Sequence, residues 1–200
     1  MNYAAADVKK LREETGATFV DCKNALTEAK SWDEALQLVE ARSGRKAEKM
    51  IAADRETKEG GVFSYVHHNH KVGVLLELNC STDFVARSES FRHLASELSL
   101  HIAGAHPAPK YINFEDVPTE LVESARKQTL EDPSMERVPG EKREEAINNK
   151  LKKALGEQVL MMQPWVKDED TLVGDLVRKV IAETGENVVL RRFSRFELGE

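Results

Sequence analysis

The sequence predicts an α+β chain, with a three-helix bundle at the N-terminus followed by a small antiparallel sheet packed with helices. Three observations carry this expectation. Apolar residues recur by threes and fours between residues 4 and 42, the period of an amphipathic helix. At Gly60-Gly61 the period changes to two, and β-branched residues take over. After Cys80 a helical stripe resumes at Phe91, Leu94, Ala95, Leu98 and Ile102.

Composition sets the class. The 200 residues fit one medium domain, or a small domain beside a larger one. With 40% apolar and 32% charged residues, and no apolar run near the roughly 20 residues that span a bilayer, the chain reads as soluble. The segment Met1-Asn2-Tyr3-Ala4-Ala5-Ala6-Asp7 lacks the basic start and apolar core of a signal peptide. A cytoplasmic protein with no membrane contact is expected. Cys22 and Cys80 fall in separate predicted elements without Cys-x-x-Cys spacing, so reduced thiols are expected rather than a disulfide or zinc site. A net charge of −6 argues against nonspecific nucleic-acid binding.

Taken in order, the first predicted helix carries Val8 and Leu11 and stops at Thr15-Gly16, where Gly supplies a left-handed cap. The second carries Cys22, Ala25, Leu26 and Ala29. Ser31 or Asp33 caps the third, which buries Ala35, Leu36 and Val39 and ends at Gly44. Phe19 and Val20 stand at the corner Gly16-Ala17-Thr18. They either plug the bundle, as expected for at least one of them, or form an exposed apolar knob. Residues 1–44 thus form a helical bundle. Residues 45–59, dense in mixed charge, read as a solvated helix and connector.

Residues 60–200 form the α+β part. Strands are expected at Val62–Val66 and Val72–Leu78, with Val72, Val74, Leu76 and Leu78 sharing a buried face. The helix at about Ser88–Ala103 is the nearest cover. Between strand and helix, Asn79, Ser81, Thr82 and Asp83 compete with the backbone for hydrogen bonds, so they end the strand and cap a short helical turn. That turn opens with Phe84 and Val85 side by side. Neighbours on a helix point about 100° apart and cannot share one burial site. Spacing alone favours a core role for Phe84, which lies one heptad before Phe91; its place at a strand-to-helix corner makes it a candidate protein contact.

Further on, His106-Pro107-Ala108-Pro109 breaks the chain. Pro118 suits the first turn of a helix to about Leu130. A second helix follows Pro139-Gly140, with Ala146, Ile147, Leu151, Ala154 and Leu155 as its apolar side. A third, from Thr171, carries Leu172, Leu176, Val177, Val180 and Ile181 and ends at Gly185. Asn187–Leu198 is the last strand, in which Arg191, Arg192 and Arg195 interleave with Phe193, Phe196 and Leu198.

Two stretches are specific. Leu11-Arg12-Glu13-Glu14-Thr15-Gly16-Ala17-Thr18-Phe19-Val20-Asp21-Cys22-Lys23-Asn24-Ala25-Leu26 resembles the first signature of bacterial elongation factor Ts, with Thr18 where that family usually has Gly or Ser. Glu77-Leu78-Asn79-Cys80-Ser81-Thr82-Asp83-Phe84-Val85-Ala86-Arg87 resembles the second, with Ser81 where Gln or Glu is usual. Gln163-Pro164-Trp165 and Gly185-Glu186-Asn187-Val188 also fit the pattern, whereas Asn148-Asn149-Lys150-Leu151 departs from it. The resemblance implies a bundle like that of ubiquitin-associated domains and a guanine nucleotide exchange factor for elongation factor Tu, an activity without covalent chemistry, catalytic residues or cofactor. It implies that Arg12, Phe19 and Val20 bind the partner. It also implies that Thr82, Asp83, Phe84 and Val85 form a corner that dislodges the partner's Mg²⁺. Longer family members carry two related core halves and this chain shows one corner, so a homodimer through residues 60–200 is expected. Two rivals come from other classes: a metal-dependent hydrolase using His67, His68, His70 and Asp83, and an RNA-binding module using the last strand and the basic connector. Neither accounts for both signatures.

Overall fold

The computed structural model describes residues 3–53 and 56–200, with Glu136 and Arg137 described by their backbone alone. Its contacts gather into two compact units. The first comprises Met1–Phe63, Leu76–Ser96 and Asp175–Phe193; the second comprises Ser64–Leu75, Glu97–Gly174 and Ser194–Glu200.

The first unit begins with α1 (Ala5–Thr15), α2 (Phe19–Glu28) and α3 (Trp32–Ala52). Gly16 ends α1 at φ 71°, its N–H donating to Arg12 O. Ser31 caps α3 by accepting from the Glu34 N–H (3.1 Å). The bundle buries Val8, Leu11, Ala17, Cys22, Ala25, Leu26, Ala29, Ala35 and Val39. The expected stop at Gly44 is not found: α3 runs through it to Ala52. An interior glycine costs a helix only about 0.5–1 kcal/mol relative to alanine. Contacts beyond it offset that cost, because Ala47 is fully buried and Lys46 Nζ donates to Ala182 O (2.7 Å). The first part of the expected 45–59 connector is therefore helix; its Asp54 and Arg55 lie outside the described residues.

Strands β1 (Glu59–Val66) and β2 (Val72–Cys80) follow, then α4 (Asp83–Arg87) and α5 (Glu89–Gly104). On β2, Val74, Leu76, Leu78 and Cys80 alternate into the core. On α5, Phe91, Leu94, Ala95, Leu98 and Ile102 are all buried, and the Phe91 ring tilts against Phe63 with centroids 6.1 Å apart. Gly60 is obligatory. Its φ is 141°, and a Cβ there would stand 2.2 Å from the Leu78 carbonyl oxygen.

Helices α6 (Thr119–Glu131) and α7 (Gly140–Gly156) pack around Met135, Ile147 and Leu151 in the second unit. Ala154, expected on the apolar side of α7, is exposed. Next come a short antiparallel pair, β3 (Pro164–Trp165) and β4 (Asp168–Leu172), helix α8 (Val173–Thr184) and strand β5 (Val188–Glu197). The last helix was expected from Thr171. Leu172 instead pairs with Pro164 in the β3–β4 ladder, so α8 starts two residues later, at Val173. The main sheet has the order β1-β2-β5. Among the described residues, no helix is long and apolar enough to cross a membrane.

In the second unit, Gln163 is buried with its amide fully used. Nε2 donates to Glu157 O (2.6 Å) and Pro107 O (2.9 Å). That fixes Oε1 as the acceptor for His101 Nε2–H at 2.9 Å. His101 Nδ1 then accepts from the Val166 N–H (3.3 Å). The ring is held neutral, and burial lowers its pKa from the ordinary 6.5. An unfolded chain takes up this proton near 6.5 and the folded one only at lower pH, so stability is full above 6.5 and falls as pH drops through it. Urea unfolding between about pH 7.5 and about pH 5.5 is expected to lose less stability for His101→Gln than for the parent chain. Equal losses in the two proteins would show that His101 titrates normally.

Candidate functional site

Thr82, Asp83, Phe84 and Val85 form one turn between β2 and α5, within the first unit. Thr82 is the N-cap of α4, in extended backbone, with Oγ1 accepting from the Val85 N–H (3.4 Å). The turn closes at Ser88, whose N–H and Oγ–H both donate to Val85 O. Ser88 Oγ also accepts from the Phe91 N–H at 3.3 Å, so one residue ends α4 and starts α5. Asp83 pairs with Arg87 across the exposed side of the turn (2.5 Å).

The two apolar neighbours part company. Val85 is 8% exposed and belongs to the core, whereas Phe84 is 82% exposed. The core role favoured by the heptad spacing is overturned. The Ser88 break between α4 and α5 interrupts the helical phase, so Phe84 does not continue the stripe that starts at Phe91.

The corner is fastened from behind. Thr82 N–H donates to Glu186 Oε2 (3.0 Å), and Thr82 Oγ1–H donates to Glu186 Oε1 (2.7 Å). Thr82 O accepts from the Ala86 N–H (3.2 Å) and from Cys80 Sγ–H (3.1 Å). The sequence reading did not single out Glu186 or Cys80 as functional. The only signal for Glu186 was its place in the Gly185-Glu186-Asn187-Val188 run, 104 residues from Thr82. Burial raises the thiol pKa of both Cys80 and Cys22, and neither forms a disulfide. Ser81 Oγ is buried without a hydrogen-bond partner among the described residues.

Arg12, Phe19 and Val20 stand in the same unit, at the α1–α2 corner. Arg12 is exposed, as are Phe19 (52%) and Val20 (62%). The expectation that one of them plugs the bundle is wrong. Ala17 fills that position instead. Thr18 explains the outcome. Its backbone is extended, at φ −67° and ψ 151°, which suits a β-branched residue. Its Oγ1 caps α2 by accepting from the Asp21 N–H (3.2 Å) and donates to Asp21 Oδ2 (2.5 Å). Helix α2 therefore starts at Phe19, with its first two side chains turned outward.

The features behind the rival readings behave differently. His67 and His68 rings lie 4.2 Å apart, and His67 Nδ1 bonds the Tyr65 hydroxyl. Among the described residues, His67, His68, His70 and Asp83 do not gather into a cluster able to hold a metal. On β5, Arg192 pairs with Glu77 (2.7 Å), and Arg195 pairs with Glu197 and Glu200.

Comparison with known proteins settles the relationship. Residues 3–200 match the family model described as "Elongation factor TS". The chain belongs to the elongation factor Ts family. Elongation factor Ts of Petrotoga mobilis is 42% identical over the whole of both chains. That of Fervidobacterium nodosum is 40% identical, again over the whole of both. The chloroplastic elongation factor Ts of Cyanidioschyzon merolae is 43% identical over 96% of this chain and 92% of its own. Membership gives the chain a role in translation elongation. The match therefore spans both the bundle and the sheet.

The geometry makes a direct prediction for the two neighbours. Phe84→Ala is expected to shift stability by no more than about 0.5 kcal/mol, because an exposed ring contributes little to folding. Val85→Ala is expected to cost about 1–3 kcal/mol from lost burial and the cavity left behind. Denaturant unfolding of both variants checks this; a large loss for Phe84→Ala would mean that its ring packs against its own chain.

Proposed function

We propose that this chain is a cytoplasmic guanine nucleotide exchange factor for elongation factor Tu. In this reading it binds the GDP form and promotes replacement of GDP by GTP without covalent chemistry, cofactor, nucleic acid or membrane. The observation that carries the reading is the Phe84 ring, 82% exposed at the tip of a capped and internally bonded corner. A bulky aromatic side chain held out from a fixed turn suits insertion into another protein better than it suits solvent.

A GTPase holds GDP through its phosphate loop and a Mg²⁺ that bridges phosphate and switch residues. Linkage requires that a factor lowering GDP affinity be bound less tightly by the GDP form. Such a factor needs no acid, base or nucleophile, only a wedge and an anchor. Phe84 is the wedge. Its ring enters between side chains of the GTPase core and displaces the elements that position Mg²⁺, with Thr82, Asp83 and Val85 shaping the corner. Arg12, Phe19 and Val20 are the anchor, an exposed cation beside two exposed apolar side chains. Burying one Phe ring supplies roughly 1.5–3 kcal/mol, about ten- to a hundredfold in rate. Two linked contacts supply more by raising effective concentration.

The test is release of fluorescent GDP from elongation factor Tu. The parent chain is expected to accelerate release, and Phe84→Ala to slow that accelerated rate by about ten- to a hundredfold while keeping its fold. Exchange by the variant at the parent rate would remove Phe84 from the mechanism.

A homodimer, binding two copies of the partner, completes the reading. Val66, Leu75, Phe196 and Leu198 stand exposed in the second unit, and β1 and β5 are the edge strands of the sheet. Apolar side chains and open edges of this kind are suited to cover by a second copy through residues 60–200. Sedimentation at micromolar concentration is expected to give the mass of a dimer, and a monomer alone would end the proposal.

A further inference from the structure

Thr82 has no idle polar atom. Its N–H and hydroxyl go to the two oxygens of Glu186, its Oγ1 also accepts from Val85, and its carbonyl takes Ala86 and Cys80. Of these partners only Glu186 comes from outside the local segment. The turn that presents it is itself fixed. Gly185 lies at φ 72°, its N–H donates to Ile181 O (2.9 Å), and the Glu186 N–H donates to Thr184 Oγ1 (3.4 Å). The carboxylate thus has a defined origin at the end of α8 and a defined target two residues before the exposed ring.

We propose that Glu186 is a positioning residue for nucleotide exchange. By holding both donors of Thr82, it fixes the peptide from which α4 starts and so sets the direction in which Phe84 leaves the surface. This rests on the exchange reading above. Glu186 acts through Thr82 and Phe84, and touches neither nucleotide nor metal. Two hydrogen bonds in parallel fix orientation as well as distance. Without them the Thr82 peptide keeps its local bonds but can turn, and a ring on a turning corner is correctly placed in a smaller fraction of bound complexes.

The test follows limiting GDP-release rate and half-saturating factor concentration for several variants of the full chain. Glu186→Ala removes both acceptors. It is expected to lower the limiting rate about tenfold, with half-saturation unchanged within about twofold. Glu186→Gln keeps the two-point geometry, accepting from Thr82 N–H and donating to its hydroxyl, and is expected to retain most of the rate. In a Phe84→Ala background, Glu186→Ala is expected to change nothing further, since its effect passes through that ring. Thermal unfolding confirms the fold of each variant. If Glu186→Ala fails to fold, Glu186→Asp, too short for both donors at once, carries the same comparison. A parent-like rate for the acceptor-removing variant, or fully multiplicative losses in the double variant, overturns the proposal while the exchange reading stands. A Gln variant as slow as the Ala variant also overturns it, because charge rather than position would then be at work. A parent chain that does not accelerate GDP release overturns the exchange reading and this proposal together.

Discussion

Two apolar residues in succession on a helical turn point about 100° apart, and at this corner one of them is committed. Val85 is in the core, its carbonyl taken by both donors of Ser88. With that side chain and that peptide fixed, Phe84 has nowhere to go but outward. The exposure of the ring is therefore not looseness. It is the geometric complement of a buried neighbour, enforced by a cap at each end of a five-residue helix.

Helix α8 and the turn after it bond both the bundle and the Thr82 corner of the first unit. A Cβ placed on Gly16, at the α1–α2 corner, would stand 3.5 Å from Lys179 Cε and 3.7 Å from Glu183 Oε2. Lys46 of α3 bonds the Ala182 carbonyl on the same helix. One turn beyond Glu183, the chain delivers Glu186 to Thr82. The bundle that carries Phe19 and Val20 thus bonds α8 through Lys46, and the corner that carries Phe84 bonds the turn just after α8 through Glu186. In the proposed exchange role, wedge and anchor must hold a fixed separation, which a helix is stiff enough to provide.

Much of this was legible in advance because it rests on local chemistry. The helical stripe from Phe91 to Ile102, the alternation along β2, the Gly16 cap and the Ser31 cap each follow from side chains a few residues apart. The misreadings come from competing contacts, some local and some distant in sequence, that outweigh the periodic pattern. Gly44 is a poor helix residue, yet Ala47 and Lys46 find partners that carry α3 past it. Leu172 fits the period of α8, yet Pro164 captures it in a ladder. Phe84 fits the heptad of α5, yet Ser88 breaks the phase between them. Ala17, small and two residues before Phe19, gave no hint that it is buried in the bundle while Phe19 and Val20 are exposed.

By itself the sequence determined the kinds of element, their order, the caps that bound them and, through two signatures, the family. Those depend on spacing and on hydrogen bonds that side chains make within a turn or two. Tertiary structure decided that Val85 rather than Phe84 is buried, that Phe19 and Val20 both stand exposed, and which carboxylate holds Thr82. Such choices turn on what space remains once distant segments have packed, and on a bond across 104 residues whose partner no local pattern can name.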